Sequence, residues 1–397
     1  MKDIVDFKEE NKTKLNKKKL IIAISVGIIL LVIAITMIIY SSNREARKFL
    51  DKYLFRKNIS QEKLTSIELN YDSNINVFAY NKNICILAEN KLLQYNSSGK
   101  LENETPLAIN NPVYSVNDKY IAISEKNGTE LNLMSGSSIL WTKQVDGQID
   151  RISVNDNGYV SVIVTGTTYK SVIVTYDKEG KELFKTYLAT TIVNDTCISQ
   201  DNKYLAFSEI NTKGTTIGSK IKIISIEKAK EKENTDDSII NTFESDSDKL
   251  ILNIEYHNNK LICMYDNEIT MINDNTNNSL FSINEKGKNI NFANINLDNY
   301  IYRATEENAG LFNSNTILEI KNTSNEKIVE YTVEGVAKDI YSYKDIIAVS
   351  LGQEIEFVNT NGWLIKRYYS EQEVQNVVVG NGIAGIVYND KVEIINL

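Results

Sequence analysis

The stretch Ser199–Ser208, SQDNKYLAFS, joins an apolar approach, a polar turn holding Asp201 and Asn202, and an apolar strand. It recurs as SVNDKYIAIS (Ser115–Ser124) and SVNDNGYVSV (Ser153–Val162). Fainter copies are FAYNKNICIL (Phe78–Leu87), IEYHNNKLIC (Ile254–Cys263), NLDNYIYRAT (Asn296–Thr305), YSYKDIIAVS (Tyr341–Ser350) and VVGNGIAGIV (Val378–Val387). A spacing of roughly 40 to 50 residues, with further strands between copies, is the sequence pattern of a β-propeller built of four-stranded blades. A lone four-stranded sheet cannot bury both faces. Stacked on its neighbours, its central strands become apolar on both sides, as YLAF and YIAI read.

Working outward, the segment 64–397 divides into strands bounded by Asn, Asp, Lys and Gly. The second unit reads Val113–Val116, Tyr120–Ser124, Glu130–Met134 and Ile139–Val145, and the third and fourth follow the same plan. Two polar insertions, Glu209–Ser219 and Glu227–Ser238, interrupt the fourth. The last unit has only three strands, Val374–Val379, Ile383–Tyr388 and Val392–Ile395, while one spare strand, Leu64–Asn70, precedes the first. Pairing that spare strand as the outer strand of the last blade closes the ring and removes two open sheet edges together. The expectation is an all-β, eight-bladed propeller, with seven blades as the alternative if the weak first unit is not a blade.

Helical periodicity is confined to the beginning of the chain. Leu20–Tyr40, LIIAISVGIILLVIAITMIIY, holds no charge over 21 residues, and 14 of them are Ile, Leu or Val. As a helix it is about 31 Å long, the hydrocarbon thickness of a bilayer. Those 14 residues favour insertion by roughly 4 to 8 kcal/mol in total. The ending Ile38-Ile39-Tyr40-Ser41-Ser42-Asn43 lacks the A-x-A pattern of small residues, which favours a retained membrane anchor over a cleaved signal peptide. Residues 41–60 follow as an amphipathic juxtamembrane helix, with Ala46, Phe49, Leu50, Tyr53 and Leu54 on one face. Such a helix serves as a stalk with headgroup contacts, an interfacial helix or a self-association seam.

Charge is divided unevenly. Residues 1–57 hold 13 Lys or Arg and 6 Asp or Glu; removing them from the chain's 44 and 52 leaves 31 basic and 46 acidic residues, a net of −15. An acidic body is a poor partner for nucleic acid, whose binding begins with neutralised phosphates. It is also repelled by anionic lipid, so the basic end belongs at the membrane. The Lys17–Lys19 cluster and the short lysine-rich 1–19 flank point to a cytoplasmic amino terminus with the propeller outside the plasma membrane, although basic residues also follow the span.

The residues offer little chemistry. Cys85, Cys197 and Cys263 lie singly on predicted strands without a CxxC, and read as small buried hydrophobes. The single histidine, His257, cannot build a His-dependent triad or a two-His metal site, and its place in a turn reads as surface. Asp118, Asp156, Asp201 and Asp298 occupy equivalent turns, which is better explained by hairpin structure than by one catalytic centre. The runs KAKEKEN (Lys228–Asn234) and ESDSDK (Glu244–Lys249) read as solvated loops. Trp141 and Trp363 fall on predicted outer strands. No residue is assigned a catalytic, cofactor-binding or metal-binding role, and no cofactor is expected.

SQDNKYLAFS resembles the WD40-like repeat S-P-D-G-K-x-[IL]-A-[FY] of exported bacterial propellers, with Gln200 and Asn202 in place of Pro and Gly. Gly180 before Phe184, and Gly136 before Trp141, resemble the turn of quinoprotein-type propellers. The whole layout resembles an uncharacterised family of single-pass Gram-positive membrane proteins, a domain of unknown function. That resemblance implies the fold and no activity. The expected role is a non-enzymatic protein-interaction or scaffold module at the cell envelope. The alternatives are an envelope sensor or carbohydrate-active enzyme using carboxylates in the propeller channel, and a cytosolic scaffold of inverted topology.

Overall fold

Short β-branched runs punctuated by Asn and Gly turns fold into eight antiparallel sheets arranged as an eight-bladed β-propeller. The structure, a computed structural model, describes the chain except for residues 1–16, 43, 56, 61–63, 71–74, 213–216, 233, 246–248, 274–275, 284–288 and 309–313. Most of the lysine-rich flank, and parts of both polar insertions and of ESDSDK, therefore lie outside the described residues. Blades 1 to 7 span Asn76 to Pro106, Pro112 to Gln144, Gln148 to Leu188, Ile192 to Glu244, Ile251 to Ser282, Asn289 to Val333 and Asp339 to Tyr369. Blade 7 carries a fifth strand, Asn58–Ser60, on its outer edge, which the sequence reading did not anticipate. There the expected helix over 41–60 gives way: helical structure runs through Arg44–Phe49 and a π turn at Leu50–Leu54, then stops.

Blade 8 joins the two ends of the ring. Asn376–Gly380, Ile383–Val387 and Lys391–Asn396 receive Thr65–Glu68 as their outer strand, in the register Thr65↔Ile394, Ile67↔Val392 and Glu68↔Lys391. This is the closure that the unmatched strands at the two ends of the sequence required.

The core lies between blades rather than within them. Ala122, Leu131 and Leu133 of blade 2 pack on Val160, Val162 and Val174 of blade 3. Across the closure, Ile67, Val392 and Ile394 of blade 8 pack on Ile84, Ile86 and Leu93 of blade 1. Each such side chain contributes about 1.5–3 kcal/mol on full burial. Cys85, Cys197 and Cys263 are buried free thiols in these layers, as their isolated positions suggested.

A glycine turn recurs between third and outer strands. The side chain of Asn96, Asp177 or Asn359 accepts main-chain N–H bonds from residues two and four further on. The enclosed glycines, Gly99, Gly180 and Gly362, have φ of +73°, +76° and +73°. Each turn receives an outer-strand side chain of the preceding blade: a Cβ on Gly180 would stand 2.8 Å from the Trp141 ring, on Gly99 2.4 Å from Thr65, and on Gly362 2.5 Å from Val329. Trp141 also donates its indole N–H to the Lys178 carbonyl at 3.1 Å. Trp141 is thus docked at 9% exposure, whereas Trp363 sits in its turn at 60% exposure rather than on the outer strand.

The insertion at 227–238 is only partly solvated. Ser225 caps a one-turn helix, Ile226–Ala229, whose Ile226 and Ala229 join Phe184 and Leu188 of blade 3 in one core. Lysines flanking Ala229 made the run look wholly exposed.

Ile67→Ala is expected to lower unfolding stability by about 2–5 kcal/mol, because it empties the seam that closes the ring. Gly136→Ala, at a turn with open space around it, should cost only about 1–2 kcal/mol from its left-handed backbone. Chemical denaturation of the two variants checks the ranking.

Candidate functional site

The turns joining first and second strands gather at one end of the central channel. At that end the recurrent Asn-bearing motif has two duties. Asn117 Oδ1 accepts the N–H groups of Lys119 and Tyr120, both at 2.9 Å, and Asn155 Oδ1 does the same for Asn157 and Tyr159 at 3.0 Å. Their amide nitrogens reach the next blade: Asn117 Nδ2 donates to the Asn155 carbonyl at 2.9 Å, and Asn155 Nδ2 to the Ser199 carbonyl at 3.1 Å. Asn157 continues to the Gln200 carbonyl at 2.6 Å, Asn259 accepts from the Asp201 N–H at 3.3 Å, and Asn258 donates to Asn299. An amide belt thus links blades 2 to 6 around the channel mouth.

Inside the belt is a cavity of about 400 Å³, lined by residues of blades 2 to 7. Its polar wall includes Asp156, Glu255, Asp298 and Lys344, contributed by four different blades. Asp118 of blade 2 pairs with Lys344 of blade 7 and accepts a hydrogen bond from Tyr343. Blades 2 and 7 are separated around the ring by blades 1 and 8, so this pair is a strut across the mouth. Lys344 takes φ of +54° at the tip of its hairpin, which aims its chain inward.

The electrostatics favour protons at this end. Glu255 is half-buried and lines the cavity, and no hydrogen bond among the described residues offsets its desolvation. Burial first, and then the charges of Asp195, Asp156 and Asp298, push its carboxyl up to about 8. Burial also raises Asp298, against the opposing pull of Lys344. Asp195 is raised by burial too, although the Ile254 N–H at 2.9 Å and Arg151 work against the shift. Lys344 resists its own desolvation because Asp118, Asp298 and Asp156 hold its charge.

Of the four repeated aspartates, Asp201 serves its own turn, accepting from the Ser199 hydroxyl at 2.7 Å and the Lys203 N–H at 3.2 Å. Asp118, Asp156 and Asp298 instead converge on the cavity and its strut, so hairpin structure does not account for all four. Glu255 was missed because it lies on the inner strand Ile251–His257, where alternation alone gave it no distinction.

His257 departs from its surface reading. It is 1% exposed, its Nε2–H donates to the Ile295 carbonyl at 2.7 Å, and Nδ1 faces the Thr323 hydroxyl at 3.5 Å. The two-residue turn Asn258–Asn259, with φ of +48° and +62°, folds it back under blade 6. Burial lowers its imidazole to about 4, so it is neutral at pH 7. Among the described residues, no group of three or more His, Cys, Asp and Glu has the arrangement to hold a metal ion.

A family of unknown function (DUF5711) matches residues 55–397. Among solved structures, the chain is similar to BamB from Moraxella catarrhalis at 11% identity and a TM-score of 0.47, covering 84% of this chain and 99% of that one. It is similar to Kuenenia stuttgartiensis hydrazine synthase at 8% identity and a TM-score of 0.43, over 84% and 98% of the two chains. It is also similar to the tricorn protease at 12% identity and a TM-score of 0.47, over 80% of this chain and 36% of that one. No curated protein matches it in sequence.

Glu255→Gln is expected to raise unfolding stability progressively as pH rises. The unfolded Glu255 ionises near 4.5 while the native one holds its proton to about 8, so between those values rising pH favours the unfolded wild type. The advantage of the variant should grow from pH 5 to pH 8 and level off above, as read by denaturation curves across that range.

Proposed function

The chain belongs to that family of unknown function, and from its own residues we propose that it is a membrane-anchored, non-enzymatic binding module acting at the cell envelope. The helix Lys17–Ser42, with mean hydropathy of 3.1 over its apolar window, is the anchor. The propeller stands outside the plasma membrane and takes a protein partner at the acid-walled channel mouth. The observation that carries this reading is the convergence of Asp156, Glu255 and Asp298 from blades 3, 5 and 6 on one cavity. Such a wall selects a cationic group, a lysine or arginine side chain presented by the partner, because an approaching positive charge stabilises the ionised form of the raised carboxyls and draws the proton off Glu255. The body's net of −15 over residues 58–397 supports the same sign of partner and argues against nucleic acid.

A second reading has one observation in its favour. Glu255 held protonated at neutral pH beside other carboxyl groups is the state that a general acid of glycoside hydrolysis requires. It predicts loss of sugar cleavage in Glu255→Gln, whereas the binding reading predicts that Asp156→Asn/Asp298→Asn weakens partner capture without any change in turnover.

Placement is tested with a tag on each terminus and protease applied to intact protoplasts. Loss of the carboxy-terminal tag with survival of the amino-terminal one is expected. The opposite pattern makes the propeller a cytosolic scaffold. In the same cells, photo-crosslinking from position 200 at the cavity wall should trap a protein partner, and the double Asn variant should trap less of it.

A further inference from the structure

We infer that the segment 44–55 is a reversed turn embedded in the membrane interface, with lipid headgroups and upper acyl chains as its partner. The inference rests on the reading of Lys17–Ser42 as a retained span, and goes beyond it by placing the residues that follow.

A helix continuing straight from Tyr40 would carry Lys57 about 25 Å further along its axis. Instead the two side chains meet. Lys57 Nζ donates to the Tyr40 hydroxyl at 2.8 Å, the Tyr40 hydroxyl donates to Asp51 Oδ1 at 2.8 Å, and Lys57 pairs with Asp51 at 2.8 Å. Arg47 Nε donates to the Tyr40 carbonyl at 2.8 Å, and the Phe55 ring meets the Tyr40 ring edge-on at 5.7 Å. Asp51, at 3% exposure, is the hub of this latch. The π turn Leu50–Leu54 supplies the reversal, with the Phe55 N–H donating to the Leu50 carbonyl at 2.8 Å.

The latch holds Asp51 and Lys57 level with the last turn of the apolar helix. Around it, Phe49, Tyr53, Leu54 and Phe55 are 62%, 61%, 60% and 50% exposed. Four large apolar or amphipathic side chains facing out, continuous with a bare apolar helix, have one environment that suits them. At the interface, aromatic rings sit at headgroup depth and apolar faces sink about 5–10 Å. Charge points the same way: residues 44–57 hold six Lys or Arg against two acids, which matches anionic headgroups. A straight stalk requires the segment to leave the membrane surface, and the Tyr40–Asp51–Lys57 latch forbids that.

The test uses the full chain in vesicles of phosphatidylcholine and phosphatidylglycerol. Cys85, Cys197 and Cys263 are buried, so a single introduced thiol takes an environment-sensitive fluorophore in the folded protein. Labels at Phe55→Cys and, as the reference for the span, Val32→Cys are quenched by lipids carrying a nitroxide at a shallow or a deep acyl position. The expected result is shallow-dominated quenching at position 55 and deep-dominated quenching at 32. Adding Asp51→Ala should release the latch, moving position 55 toward the unquenched level while 32 is unchanged. Quenching at 32 but none at 55 overturns the interfacial turn and leaves the span standing. Emission at 55 that depends on protein concentration rather than on quencher depth overturns it in favour of self-association. No quenching at either position removes the span and the inference with it.

Discussion

The ring depends on four residues from one end of the propeller completing a sheet made by the other. Thr65–Glu68 lies far from Lys391–Asn396 in sequence, so the pairing carries a loop-closure cost that the stacking of the intervening blades offsets. Once formed, it covers the edge of Lys391–Asn396 and lets Ile67 and Ile394 seal against blade 1. Gly99 makes the fit: its left-handed turn leaves room for Thr65, which any Cβ would displace. Closure is therefore a packing event as much as a hydrogen-bonding one.

A closed ring can then hold groups that would otherwise drift apart. The amide belt fixes the channel-mouth turns blade to blade, each Asn both closing its own turn and bonding the next. A carboxamide suits both tasks because it offers an acceptor and two donors on one short side chain. An aspartate at position 117 or 155 would keep the acceptor and lose the link. In SVNDKY and SVNDNG this explains the Asn that precedes the Asp: Asn117 and Asn155 are architectural, and Asp118 and Asp156 are free to serve the strut and the cavity.

Much of this was legible in the sequence. The turn motif, the apolar central strands and the count of strands at the two ends gave the number of blades and the closing pair, because those features obey local rules of periodicity and turn chemistry. The two tryptophans parted company because docking depends on the neighbouring blade. Trp141 meets the open turn of Gly180, while Trp363 follows its own turn glycine and has no such socket. The [DN]-x-x-G-[KW] turns at 96–100, 177–181 and 359–363 were present in the sequence as a second repeat, and reading them would have named all three sockets. His257 and Glu255 were not legible, since neighbours in other blades determine their burial. Asp118 was read correctly as a turn residue and still ends in a strut to blade 7, because ring curvature rather than sequence separation sets who faces whom.

The buried titratable groups argue that the acid wall is not there for stability. His257, neutral in the fold with its imidazole lowered to about 4, contributes stability that is present above pH 6.5 and lost as pH falls from there toward 4. Glu255 acts with the opposite sign, losing stability as pH rises from 4.5 to 8. The two oppose each other between pH 4.5 and 6.5, and from 6.5 to 8 Glu255 acts alone of the pair. Asp195 and Asp298, also raised, add to the same side as Glu255. At neutral pH the mouth is therefore a part of the ring where ionising a carboxyl is disfavoured. Lys344 is paired directly with Asp118 and acts on Asp298 and Asp156 through its charge, while Asp156, Glu255 and Asp298 face a common space. Burial that keeps carboxyls protonated above their ordinary range lowers the stability of the ring at neutral pH, and an incoming cation would offset that cost by favouring their ionised form.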